Sequence, residues 1–482
     1  MSFQAIQRIL GILLTLFSFT LLPPLGFSLW NDDGATRAFL SSFLIILSVG
    51  MVIWLPVLQI RREMRLRDGF IIVVMFWTVL GGMGALPFLF AESLSLTVTD
   101  AIFESISGLT TTGATVITNL NDLPISILYY RQQLQWLGGM GIIVLAVAVL
   151  PMLGIGGMQL YRAETPGPMK DAKLTPRITE TAKALWFIYL GLTVACGFAY
   201  WLAGMTPFDA LGHAYSTVAI GGFSTHNDSI GAFDQSIQIV AIVFMFLAAI
   251  NFSLHFVAFR SKKINCYWKD SEFKFYVFLL SLVIILTTVG LYFSNTYSSW
   301  HEAVWKGLFQ AVSIGTTAGF TTADFYNWPG SIAVLLIIAS FVGGCAGSTG
   351  GGIKVVRLLL LIKQGLREIT RLSHPSAQIP VRLGDKAIST RIVEAVWGFF
   401  ALYIACFTVM FLILAATGLD LMTSFSAVAA CINNLGPGLS EVGPNYSQMH
   451  DAGKHILCFA MLLGRLEIFT LLVLLTPTFW RK

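Results

Sequence analysis

Four glycines in this sequence, Gly113, Gly222, Gly319 and Gly436, are each followed by an uncharged residue: Ala114, Phe223, Phe320 and Pro437. Each stands about 10–17 residues after an acid, respectively Asp100, Asp209, Glu302 and Asp420. The glycines lie 109, 97 and 117 residues apart, and each is preceded by small or neutral side chains rather than charged ones. Such a pattern offers no nucleophile and no general base. It offers backbone: glycine permits angles that turn carbonyl groups inward, and a ring of carbonyls can replace the hydration shell of a potassium ion. The implied chemistry is the dehydration and passage of a cation.

The elements that must position such a ring can be read from the segments around each glycine: SLTVTDAIFESISGLTTTGAT (95–115), MTPFDALGHAYSTVAIGGFST (205–225), SSWHEAVWKGLFQAVSIGTTAGFTT (298–322) and GLDLMTSFSAVAACINNLGPG (418–438). Each opens as a short amphipathic helix, too short to span a bilayer, which takes about 20 apolar residues. A half-helix and an irregular return strand are tolerated at membrane depth only where they are buried in protein or line a wet cavity. An acid at the outer end suits the positive helix terminus, and the negative terminus then points at the membrane centre, where it favours a cation. Surface helices ending in glycine turns would be the plain alternative. Four copies on one side of the membrane favour a pore.

Composition supplies the membrane. The 482 residues are 56% hydrophobic and 11% charged, with mean hydropathy +0.76, whereas soluble domains carry roughly 25% charged residues. Apolar segments occur around 9–29, 38–60, 69–91, 134–153, 184–204, 237–259, 275–293, 331–343, 395–417 and 456–477. The expected fold is an all-α polytopic membrane protein: four membrane–pore loop–membrane repeats in pseudo-fourfold arrangement around one pore, plus two N-terminal helices. The divisions are 1–67 for the two leading helices, then repeats at 68–153, 154–260, 261–363 and 364–482. The first apolar run lacks a small-x-small cleavage site and is expected to be a retained helix.

Alternating these segments from an inside N-terminus places 25 of the 30 Lys and Arg on the cytoplasmic side, in the loops 59–68, 154–183, 260–274 and 354–391 and at the two ends. This is the positive-inside pattern, with both termini cytoplasmic. Arg37, Arg131, Lys306 and Lys454 fall outside, against fourteen acids including Glu104, a field that would gather cations. The six cysteines are scattered and read as small buried hydrophobes. The histidines show no metal-ligand spacing, and no nucleophile–base pair suggests an enzyme.

Two further features belong beneath the ring. The third repeat continues from its span into Gly343, Gly344, Cys345, Ala346, Gly347, Ser348, Thr349, Gly350, Gly351 and Gly352, a run that cannot hold a helix well at about 1 kcal/mol per glycine. It is either a close helix contact through small residues or a gate that fills the pathway. Arg465 lies within the last apolar run. At a cost of roughly 2.5–3.5 kcal/mol near the bilayer centre, it must face water or a partner. It is either half of a structural ion pair or a positive charge in the pore. Glu467, two residues on, points to another helix face and is a poor intrahelical partner.

The segments QWLGGMGI (135–142), TVAIGGFSTHN (217–227), GTTAGFTT (315–322), GGCAGSTGGGIKVVR (343–357) and INNLGPGLSEVGP (432–444) together resemble the Trk/Ktr/HKT superfamily of potassium transporters, and within it the TrkH branch. The resemblance covers essentially the whole chain. It implies potassium binding at backbone carbonyls of a selectivity filter, here Thr111, Thr112 and Gly113; Ile220, Gly221 and Gly222; Thr317, Ala318 and Gly319; and Asn434, Leu435 and Gly436. All four filter glycines are present; in related plant-type proteins a serine at the first position goes with sodium transport, so Gly113 implies potassium preference. It implies that residues 343–352 and Arg465 form the gate. It also implies a homodimer in a bacterial inner membrane, with a cytosolic TrkA-like nucleotide-binding ring on its inner face and no nucleic acid. ATP, ADP or NAD would belong to that partner, since this chain has no phosphate-binding G-x-x-x-x-G-K-[ST] and GSTGGGIK (347–354) lacks its spacing. An ion-coupled secondary potassium or sodium transporter is the competing reading. It would call for inverted repeats and midplane ionisable groups, whereas these repeats share one orientation.

Overall fold

The computed structural model describes residues 3–59, 66–141, 178–384 and 386–481. Two leading spans come first: α1 (Phe3–Phe19), which continues as α2 (Leu22–Asn31), and α3 (Thr36–Trp54). Gly11 and Gly50 let α1 and α3 touch, since a Cβ on either would come closer than 3.0 Å to the facing helix.

Each repeat then follows one plan. Repeat 1 has an outer span, α4 (Leu66–Met83) and α5 (Leu86–Phe90), the short helix α6 (Val98–Leu109), and an inner helix α7 (Ile125–Trp136), which widens into a π-helical turn at Leu137–Gly141. Repeat 2 has α8 (Ile178–Leu202), the short α9 (Pro207–Ala219), and α10 (Gln235–Ala248) with α11 (Phe252–Ser261). After the connecting α12 (Asn265–Lys269), repeat 3 has α13 (Ser271–Phe293), the short α14 (Trp300–Gly315), and α15 (Gly330–Val342) separated from α16 (Val355–Ser373) by the glycine-rich loop. A minimal antiparallel pair, Arg382–Leu383 with Lys386–Ala387, precedes repeat 4. That repeat has α17 (Thr390–Ala415), the short α18 (Leu421–Ile432), and α19 (Asp451–Arg465) followed by α20 (Phe469–Leu475) and α21 (Pro477–Trp480).

Among the described residues, six helices are long and apolar enough to cross a membrane, and two bent pairs bring the number to eight. The lipid-facing character is visible in side chains such as Phe187, Phe198, Phe278 and Val409, all exposed. The far end of the expected 134–153 span and most of the 154–183 loop lie outside the described residues.

The glycine run breaks the inner helix of the third repeat, as its composition implies. The inner helices of repeats 2 and 4 break too, with bends of 94° between α10 and α11 and 115° between α19 and α20. The fourth break has a local cause: Glu467 and Ile468 both adopt positive φ, 51° and 60°, which no continuing right-handed helix accommodates.

Candidate functional site

The site is assembled by the four short helices. Their outer ends are capped in one manner. Thr97, Thr206 and Ser299 accept the backbone N–H of Asp100, Asp209 and Glu302 at 3.2, 3.1 and 3.1 Å, and Asp420 itself accepts from Met422 and Thr423. The acids expected at each entry therefore sit in the first turn or at the cap, where they favour the helix dipole.

The inner ends are also alike. Thr112, Gly221, Ala318 and Leu435 donate their N–H to the carbonyls of Ser107, Ser216, Ser313 and Ala430 at 2.7–2.8 Å. The residue just before each lies in the left-handed region: Thr111 (φ 56°), Ile220 (54°), Thr317 (69°) and Asn434 (52°). This is the Schellman helix stop, whose left-handed position is normally glycine. Three of the four are β-branched, for which positive φ is a true outlier. Strain of this kind, about 1–3 kcal/mol per residue, persists where the surroundings over-determine it, typically at functional sites.

Two residues past each of these stands one of the four glycines, all with positive φ between 79° and 97°. A Cβ on Gly113 would come closer than 3.0 Å to the carbonyl oxygen of Gly221. One on Gly222 would meet that of Ala318, one on Gly319 that of Leu435, and one on Gly436 that of Thr112. The contacts run from repeat 1 to 2, 2 to 3, 3 to 4 and 4 to 1. The four strands thus close a ring in chain order, and each glycine is required twice, by its φ and by its neighbour's carbonyl.

The strands are held from behind. Arg131 and Glu104, both fully buried, pair at 2.8 Å; Glu104 accepts from the Val116 N–H, and Arg131 donates to the carbonyl of Ser224. Tyr446 donates its hydroxyl to the carbonyl of Gly436 at 2.8 Å. Ser313 and Gln310 donate to the carbonyls of Phe320 and Ala323. Gln135 brackets Gly222 from the inner helix of repeat 1. Arg131 and Glu104, read from the sequence as exterior loop charges, are therefore internal. Lys454 is buried as well, bonded to Asp100 at 2.6 Å.

Residues 343–352 lie against the inner side of this ring. Gly351 N–H donates to the Thr317 hydroxyl at 2.7 Å, Gly352 N–H to the Asn433 carbonyl at 3.2 Å, and the Thr349 hydroxyl to the Val218 carbonyl at 2.9 Å. One carboxylate ties the loop to the helix that follows it: Glu272 Oε1 accepts from the N–H of Ala346 (2.6 Å) and of Val356 (3.2 Å). Cys345 N–H and Gly347 carbonyl bond Ala249 and Phe252, at the break in the second inner helix.

Arg465 ends α19 at the same level. Its guanidinium donates to the carbonyls of Gly138 and Gly139 in the π-helical turn, and to the Thr111 hydroxyl at 3.3 Å, and it sits 3.5 Å from the Thr349 carbonyl and 5.3 Å from the centre of the Trp77 ring. Glu467 instead pairs across helices with Arg357 of α16 at 2.5 Å. The structure thus brings together the twelve ring residues, the loop and Arg465. Sequence reasoning did not single out Glu272, Gln135, Tyr446 or Arg357. The signal for Gln135 was there as a polar residue on an otherwise apolar span.

Comparison with known proteins gives a consistent picture. Residues 35–482 match the family model TrkH, described as a cation transport protein. The chain is 56% identical over 485 residues to the Trk system potassium uptake protein TrkH of Vibrio parahaemolyticus, with both chains fully covered. It is 54% identical over 483 residues to the protein of that name from Escherichia coli (strain K12), again with full coverage. It is 44% identical over 99% of both chains to the Trk system potassium uptake protein TrkG of that strain. The crystal structure of the potassium transporter TrkH from Vibrio parahaemolyticus superposes with a TM-score of 0.91 at 54% identity, covering both chains fully.

Proposed function

From a chain that belongs to the TrkH cation transport family and folds as a multi-pass helical membrane protein, we propose a potassium-selective translocation subunit of a bacterial potassium uptake system. The observation that carries this reading is the cyclic contact of the four glycine strands. Four short helices end beside one ring, with their negative termini and their carbonyls gathered where a cation would shed water. The strand residues from Thr111–Gly113, Ile220–Gly222, Thr317–Gly319 and Asn434–Gly436 form its filter.

Residues 343–352 and Arg465 act as the gate. What supports this is position: both contact the inner side of the ring, and their bonds are mostly to backbone carbonyls and hydroxyls that a shifted helix would release. The natural lever is α16, which follows the loop and forms the first part of the basic stretch 354–391. A cytosolic TrkA-like nucleotide-binding ring pulling on this side, a homodimeric assembly, and an inner-membrane location with both termini cytoplasmic complete the reading. Nucleotide acts through that partner.

Single-channel recording of the purified protein in a lipid bilayer tests it. The expected result is potassium current above about 10⁶ ions per second, beyond turnover cycles of roughly 1–10³ per second. Slow, saturable flux that requires a second ion gradient would favour coupled transport instead.

A further inference from the structure

The ring does not account for Gln135, the residue that opens the motif QWLGGMGI. Its side chain is fully buried on α7 of repeat 1, yet it reaches the strand of repeat 2. Nε2 donates to the carbonyl oxygen of Gly221 at 2.5 Å, and Oε1 accepts the N–H of Phe223 at 3.0 Å. A single carboxamide therefore holds the backbone on both sides of Gly222. Gln132 and Arg131 extend the seam along the same helix, donating to the carbonyls of Phe223 (3.2 Å) and Ser224 (3.1 Å). The fit is close: a Cβ on Gly221 would come closer than 3.0 Å to the Gln135 carboxamide.

This seam breaks the fourfold likeness. The inner helices of the four repeats start from the N-cap residues Pro124, Asp234, Pro329 and His450. At the same distance from each cap stand Gln135, Met245, Ser340 and Met461, so the carboxamide belongs to repeat 1 alone. Gly221 is also the residue whose carbonyl faces Gly113. One carbonyl of the ring is thus set by a side chain of the neighbouring repeat.

We propose that Gln135 is a specificity-determining positioning residue, whose carboxamide fixes the Gly221 carbonyl and so favours potassium over sodium. The proposal rests on reading the glycine ring as the ion filter. A carbonyl tied by an outside donor resists being drawn in around a smaller cation, and sharing its lone pairs weakens the field it presents. Both effects disfavour sodium, whose dehydration demands a tighter and stronger oxygen shell.

The test measures potassium and sodium flux in proteoliposomes for the parent, Gln135→Leu, Gln135→Glu and, as a control on the ring itself, Gly319→Ser, which lies against repeat 4. Leucine removes both bonds. Glutamate keeps the acceptor for Phe223 and replaces the donor with a repelling oxygen. Thermal unfolding in potassium and in sodium chloride gives a second readout, because an ion that binds only the folded state raises its stability. The expected result is folded protein in which both Gln135 variants lower the potassium-to-sodium flux ratio at least threefold and shrink the extra protection given by potassium. If Gly319→Ser changes the ratio and both Gln135 variants leave it at the parent value, Gln135 is packing and the proposal is overturned with the filter reading intact. If Gly319→Ser also leaves the ratio unchanged, the filter reading fails and takes the proposal with it. Failure of both Gln135 variants to fold would likewise overturn it, by making the residue a requirement for folding rather than for selectivity.

Discussion

The carbonyl oxygen of Gly221 occupies the space that a side chain on Gly113 would need. The same relationship recurs from each repeat to the next, so the ring is an interlock in which no member can gain a side chain without displacing its neighbour. For Gly113→Ser, the φ of 82° adds backbone strain to that displacement. The expected outcome is a potassium-over-sodium preference reduced about tenfold, equivalent to about 1.4 kcal/mol. Reversal potentials in mixed potassium and sodium measure it. Unchanged potentials would remove Gly113 from the filter.

The buried pair Arg131–Glu104 makes a separate prediction about stability. It links the strand of repeat 1 at Thr115 and Val116 to that of repeat 2 at Ser224. Removing one partner of a buried pair costs about 3–5 kcal/mol, because the other charge is left without compensation. Arg131→Met should therefore lower folded yield and unfolding temperature sharply. Adding Glu104→Gln should recover part of the loss. A double variant no more stable than the single one would show that the arginine's bonds to Ser224 and Thr115 matter more than the pair.

These two cases mark what was readable in the sequence. The four glycines and the acids ahead of them were legible because each marks a local requirement: a left-handed backbone, or charge at a helix end. The break at 343–352 was legible for the same reason. The break at Glu467 and Ile468 was not, since neither residue type announces positive φ and only tertiary packing imposes it. Arg131 and Glu104 were placed outside because a charge in a connecting stretch reads as exposed. Their burial follows from the connecting segment itself folding into the membrane domain. Gln135 escaped notice because its meaning lies in the backbone of another repeat, and Glu272 because its partners stand 74 and 84 residues further along its own.

Glu272 makes the loop testable. Its carboxylate holds the N–H groups of Ala346, within the glycine run, and of Val356, in the helix that follows it. If residues 343–352 block the pathway, Glu272→Ala should free the loop and raise resting potassium flux severalfold. Deletion of 344–352 should raise it further, with little change in selectivity. Tracer uptake into proteoliposomes without partner protein checks both. A folded deletion variant that conducts less than the parent would make the loop scaffolding.

Acid stability should report on Asp33. Burial raises its pKa, but bonds from the Ser28 hydroxyl and from Ser126 and Ala35 outweigh this, and its pKa is lowered below the ordinary value of 3.8. A carboxyl depressed by folding stabilises the native state at pH above its unfolded value and loses that contribution as pH falls through the folded one. The stability gap between the parent and Asp33→Asn should be constant above about pH 5 and shrink below about pH 4. Thermal unfolding across that range measures it. A gap that does not depend on pH would leave Asp33 without a role as a charge.

Arg465 separates gate from scaffold most directly. Its guanidinium bridges three parts of the molecule: the π-helical turn of repeat 1 at Gly138 and Gly139, the ring at Thr111, and the loop near Thr349. On the proposed gate reading it is a fixed positive charge in the cation path that opposes potassium entry, while its bonds hold the loop against the ring. Arg465→Ala removes both effects, so potassium uptake per folded molecule should rise severalfold. Arg465→Lys keeps the charge but presents a point donor in place of a planar fork. It should fall between parent and alanine, closer to the parent if charge dominates. If the arginine were scaffolding, alanine would leave buried carbonyls unpaired at about 1–3 kcal/mol each, and folded yield would drop with no gain in uptake. Normal yield with raised uptake supports the gate; low yield with unchanged uptake per folded molecule rejects it.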